Sequence, residues 1–109
     1  MNHSDSIIYA DAANIEYPLT LRVWKKGDYL YPLGMYKKNT DKPAKKKVSD
    51  VLSNLKIDLH RKTNIYVLCS GEKIIWIVGL RQDERFKISP STKKLLKIKM
   101  LPLKGSIVK

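Results

Sequence analysis

The sequence predicts an α+β domain dominated by β structure, a layered sandwich-like or barrel-like sheet of short strands carrying one short amphipathic helix. Three observations predict it. Several short runs alternate apolar and polar residues with period two, only one run has helical spacing, and polar stretches with isolated glycines and prolines separate them. With 109 residues and 43% hydrophobic content, the chain can bury one compact core and has no room for a second domain.

Residues 1–18 are expected to lead into the fold, with Ile7-Ile8-Tyr9 as a first short strand and Tyr17-Pro18 as an extended dipeptide. From Leu19 the period is two: Leu19, Leu21 and Val23 face one way, Thr20, Arg22 and Trp24 the other, until Lys26-Gly27-Asp28 turns the chain. Tyr29-Leu30-Tyr31-Pro32-Leu33 resumes the alternation, so the two runs are expected to form a hairpin, with Pro32 at an edge or strand end. Residues 37–47 have no apolar period and contain Pro43, which predicts an exposed, mobile loop that carries charge and no fold. Val48, Val51, Leu52 and Leu55 fall at i, i+3, i+4 and i+7 on one face of a helix of about two turns, which must dock on a sheet to be stable.

Residues 58–64 read as a loop. The runs Ile65 to Leu68 and Ile74 to Val78 flank Ser70-Gly71-Glu72-Lys73 and give the strongest hairpin signal in the chain, nearly continuous in apolar residues and therefore expected at the buried centre. Cys69 belongs to that run as a small buried hydrophobe and, as the single cysteine, forms no intrachain disulfide. A polar segment over 81–85 precedes an expected strand Phe86-Lys87-Ile88. Leu96, Ile98 and Met100 then alternate with Lys97 and Lys99 in a last strand with one basic face, before a frayed tail over 102–109. The domain proper is expected over 19–101.

Twenty-two Lys and Arg against ten Asp and Glu leave a net charge of +12. Self-repulsion at that charge opposes a compact state, so a phosphate-rich partner is the favoured reading over a merely solvated lysine surface. Anionic membrane would call for a basic amphipathic helix or a lipidation motif, and neither is present. With no signal peptide and no apolar run long enough to span a bilayer, the expected compartment is the cytoplasm.

Catalysis needs a convergent set of groups, and the sequence offers none. Gly27, Gly34, Gly71, Gly79 and Gly105 are isolated and form no phosphate loop, and His3 and His60 are too few for zinc. Asp83-Glu84, between Arg81 and Arg85, reads as salt bridging that orders a loop. The candidate RNA contacts are Lys25, Lys26, Lys37, Lys38, Lys45, Lys46 and Lys47, which reach phosphates from turns and loops, and Arg61, Arg81 and Arg85, whose guanidinium groups grip phosphate with paired hydrogen bonds. Trp24, Tyr29, Tyr31 and Tyr36 lie near the basic turn; packing on the sheet is favoured over base stacking for them, and Trp76 is expected in the core.

The order of motifs carries a resemblance. Leu21-Arg22-Val23-Trp24-Lys25-Lys26-Gly27-Asp28, Pro32-Leu33-Gly34-Met35, Lys46-Lys47-Val48-Ser49-Asp50, Ile74-Ile75-Trp76-Ile77-Val78-Gly79-Leu80-Arg81 and Asp83-Glu84-Arg85-Phe86 together closely resemble the C-terminal domain of bacterial tRNA(Ile)-lysidine synthases, from about Leu19 to Met100. The resemblance implies a parent ligase that adenylates the wobble cytidine of an isoleucine tRNA and joins lysine to it. It also implies that ATP and Mg belong to the parent's N-terminal domain, with no cofactor and no catalysis in this chain. The implied partners are tRNA(Ile), held on its acceptor-stem side, and the N-terminal catalytic domain of the same parent; dimerisation of the isolated domain is left open. Tyr29 departs from the family pattern, which commonly has a basic residue there, and the lysine loop is long. The competing reading is a protein-interaction or structural module that packs on the parent, its basic surface incidental.

Overall fold

The computed structural model describes residues 6–101; the expected tail over 102–109 lies outside them. The strands are β1 (Ile7–Asp11), β2 (Leu19–Val23), β3 (Tyr29–Leu30), β4 (Lys46–Lys47), β5 (Tyr66–Ser70), β6 (Lys73–Ile77), β7 (Arg81–Gln82) and β8 (Leu95–Lys99), with helices α1 (Val48–Asn54) and α2 (Leu59–Lys62). They form a four-stranded antiparallel sheet in the order β2-β5-β6-β7, a β1-β8 ribbon and a small β3-β4 pair. The β-dominated α+β class is therefore observed, as layers and not as a closed barrel.

The expected central hairpin is β5-β6, and its continuous apolar character follows from burial on both faces. On one face Val67, Cys69, Ile74 and Ile77 pack with Leu30 and with Val48, Val51 and Leu52 of α1; on the other, Ile75 and Trp76 pack with Ile8, Ala10 and Phe86. A register shift between Leu68 and Cys69 leaves Ile75 as an extra residue opposite them, which lets Ile75 and Trp76 serve the same core although adjacent in sequence. The apolar stripe of α1 is as expected, with Val48 and Leu52 fully buried. Cys69 is buried and unpaired, and burial pushes its thiol pKa up.

Four expectations are corrected. The runs at 19–23 and 29–33 do not form a hairpin: β2 pairs along its whole length with β5, and the short β3 pairs with β4. Pro32 has no N–H to extend β3, and Leu30 is drawn beneath α1 into the core. The loop over 37–47 does carry fold, because Lys46–Lys47 is a strand, Tyr36 bridges Pro43, and the Lys37 N–H donates to the Lys42 carbonyl at 2.8 Å. These are backbone bonds, for which side-chain periodicity gives no sign. Residues 58–64 contain α2, whose N-cap Asp58 accepts from the Arg61 N–H at 2.9 Å. Phe86-Lys87-Ile88 is not a strand: Glu84–Phe86 forms a 3-10 turn capped by Asp83, and Phe86 is buried from there.

Candidate nucleic-acid interface

The turn after β2 is built by two features. Gly27, at φ 98°, takes the left-handed position of a tight turn in which the Asp28 N–H donates to the Lys25 carbonyl at 3.1 Å. Asp28, only 8% exposed, then accepts two hydrogen bonds from the Arg22 guanidinium, at 2.9 and 3.0 Å, and one from the Lys25 N–H at 2.8 Å. Burial alone would raise the Asp28 carboxyl pKa, but these donors outweigh it and hold the group below the usual carboxylate range. Arg22 is raised in return, chiefly by that hydrogen bonding. The turn is thereby fixed, with Lys25 and Lys26 exposed on it.

Two other stretches are tied to this turn. The Val48 N–H donates to the Asp28 carbonyl at 2.9 Å, and β4 pairs with β3 so that Lys47 stands opposite Tyr29 and Lys46 opposite Leu30. The Lys45 ammonium lies 4.0 Å from the centroid of the Tyr29 ring. On the other side, the Trp24 indole Nε1 donates to the Lys62 carbonyl at 2.6 Å, docking α2 beside the turn with Arg61 exposed in its last turn. Lys25, Lys26, Lys45, Lys47 and Arg61 are therefore exposed on three separate stretches of sequence that meet at or beside this turn, whereas Lys46 is half-buried in register with Leu30.

The remaining candidates lie elsewhere. Lys37 and Lys38 stand exposed on the extended 36–43 loop. Arg81 is exposed on β7, at the opposite edge of the four-stranded sheet from β2. Arg85 is held by a fully buried Asp83, with its Nε at 3.0 Å from Oδ1 and its Nη2 at 2.9 Å from Oδ2, while its guanidinium lies 4.3 Å from the Tyr31 ring centroid. The paired grip of this arginine is thus already used inside the protein. Asp83-Glu84 does order a loop as expected: Asp83 also accepts from the Tyr31 and Arg85 N–H groups, and Glu84 accepts from Gly34 N–H, Tyr36 hydroxyl and Lys87.

Sequence reasoning expected the turn but missed Arg22, whose pairing with Asp28 across it only the folded chain reveals. It also missed Lys73, which lines a small cleft with Arg22, Tyr29 and Arg85. Among the aromatics, Trp24 packs against the core and Tyr31 is half-buried, whereas Tyr29 and Tyr36 stay exposed. Among the described residues no group of His, Cys, Asp and Glu is arranged to hold a metal ion, and no helix is long and apolar enough to cross a membrane.

Comparison with known proteins places this geometry in a family. The family model described as the TilS substrate C-terminal domain matches residues 19–99. The tRNA(Ile)-lysidine synthase of Parabacteroides distasonis is 42% identical over 95 residues, covering 87% of this chain and 20% of that protein. That of Clostridium acetobutylicum is 39% identical over 95 residues, covering 87% and 19%. The chain thus spans about a fifth of the length of the curated relatives it matches. A crystal structure of a TilS C-terminal domain superposes with a TM-score of 0.66 over 90% of this chain and 73% of that one, at 17% identity, which speaks for the fold. With the family model matched across β2 to β8 and relatives of this identity, the chain belongs to the family of TilS substrate C-terminal domains.

Proposed function

We propose that this chain is the tRNA-binding domain of an ATP-dependent tRNA(Ile)-lysidine synthase, gripping the acceptor-stem region while a catalytic domain elsewhere in the protein joins lysine to the wobble cytidine. The observation that carries the reading is the exposure of Lys25, Lys26, Lys45, Lys47 and Arg61 on the stretches that meet at or beside the turn that Asp28 holds. Phosphates of an A-form stem need cations at several fixed points and little sequence readout, and this arrangement supplies them. ATP and Mg belong, in this reading, to the catalytic domain, and the chain adds no reacting group. Holding the stem raises the effective concentration of the anticodon at a distant active site. The reaction takes place in the cytoplasm, where its tRNA is.

A salt series tests this. Binding of tRNA(Ile) by the chain should weaken steeply from 50 to 200 mM salt, and an acceptor-stem hairpin should compete where an anticodon hairpin does not. Removing Lys25, Lys45 or Arg61 should each lower the log–log salt slope by about one. Salt-indifferent binding, or competition by the anticodon hairpin alone, would overturn the proposal.

A further inference from the structure

Among the described residues, one edge of the ribbon strand β1 pairs with no other strand. The Met100 N–H donates to the Ser6 carbonyl at 2.8 Å, and the Ala12 N–H donates to the Lys94 carbonyl at 2.9 Å. In an antiparallel ladder bonding alternates along the strand, so the even positions of β1 face β8, and Ile7 and Tyr9 turn their peptide groups the other way. Among the described residues no strand meets them there. The Gln82 side chain instead reaches across from β7 and donates from its Nε2 to the Tyr9 carbonyl at 2.8 Å, so a gap separates the two strand edges.

That gap opens onto a groove of about 800 Å³, lined by Tyr9, Leu33, Met35, Leu80 and Ile88 among others. Tyr9, Leu33, Met35 and Ile88 are each 40–45% exposed in it. The groove wall has no acidic residue and carries two cations, Arg81 and Lys87. Lys87 is paired with Glu84, whereas Arg81 is exposed and its only side-chain hydrogen bond runs to the neighbouring Leu80 carbonyl.

We infer that the groove between β1 and β7 is a strand-acceptor site for an extended polypeptide segment of alternating apolar and acidic residues. The Ile7 N–H and C=O and the Tyr9 N–H, which no described residue pairs, fit another peptide backbone, while the Tyr9 carbonyl would exchange its Gln82 donor for one from the incoming segment. Side chains alternate in a strand, so every second residue of the segment enters the apolar groove and the intervening ones stand at its rim. There the unmatched Arg81 and the net charge of +12 select carboxylates and repel lysine. The predominantly aliphatic lining favours this occupant over RNA, which calls for aromatic platforms. The inference does not rest on the tRNA reading.

The isotope-labelled chain is titrated with a capped hexapeptide of alternating valine and glutamate, its valine–lysine counterpart, and a twelve-nucleotide oligouridylate. The acidic peptide should shift the Ile7 and Tyr9 amide resonances saturably and slow their hydrogen exchange at least tenfold; the other two should not. No saturable shift at millimolar acidic peptide overturns the proposal. So does equal binding of the lysine peptide, or oligouridylate shifting Met35 and Ile88. A Met35→Glu variant, with circular dichroism unchanged, should weaken the acidic peptide at least tenfold and leave tRNA(Ile) affinity as it was. Because tRNA binding is read separately, loss of the groove and loss of the tRNA function are told apart.

Discussion

Asp83→Ala should destabilise the domain by about 3 kcal/mol, near the low end of what removing one partner of a buried, hydrogen-bonded ion pair costs. The Asp83 carboxylate is fully buried and accepts four hydrogen bonds, from the Tyr31 N–H, the Arg85 N–H and two guanidinium nitrogens of Arg85. Truncation strands the Tyr31 amide, a loss of about 1–3 kcal/mol for a buried donor. It also releases Arg85, which is 26% exposed and so recovers part of its hydration, keeping the total below the full cost of an uncompensated buried charge. The 3-10 turn loses its cap as well, at about 1 kcal/mol, and these overlapping losses are not additive. A loss of about 3 kcal/mol corresponds to a fall in Tm of roughly 12–24 °C for a domain of this size. Urea unfolding followed by the fluorescence of the buried Trp76, with a double-mutant cycle through Arg85→Ala, measures both the total and the coupling. A loss under about 1 kcal/mol with no coupling to Arg85 would refute the assignment of this arginine as an internal anchor.

Two further outcomes follow from the same structure. Asp28 and Glu84 both have pKa values held below those of unfolded carboxyls, so their stabilisation is fully present above about pH 4 and is lost as pH falls through the folded values. Acid unfolding should show this loss, and Asp28→Asn should lower stability at neutral pH while making the acid limb shallower, as a pH series of urea midpoints would record. Leu52→Ala, at a fully buried position of α1 facing β5 and β6, should cost about 2–5 kcal/mol in the same denaturant assay without changing the surface charge.

Elements held by side-chain burial were legible in the sequence. The short apolar run Ile7-Ile8-Tyr9 gave β1, the period-two runs gave β2 and β8, the i, i+3, i+4, i+7 set gave α1, and the doubly apolar runs around Gly71 gave the β5-β6 hairpin; all but β2, whose Leu21 and Val23 stay exposed, pack apolar side chains on a core, a pattern that must be written in residues. The net charge and the motif order likewise pointed to the family, and the comparisons show it. Elements held by backbone bonds were not legible: β4 is two lysines, and the single turn of α2 is too short for a period, although Asp58 carried its capping signal. Nor could non-local strand partners be read, since β2 pairs with β5 across more than forty intervening residues and not with the run that follows it. The tertiary structure alone decided which cations are available. It set Lys45 over Tyr29, docked α2 with its Arg61 on Trp24 beside the turn that Asp28 holds, and turned Arg85 inward to Asp83, because buried carboxylates and carbonyls must find donors wherever the folded chain brings them.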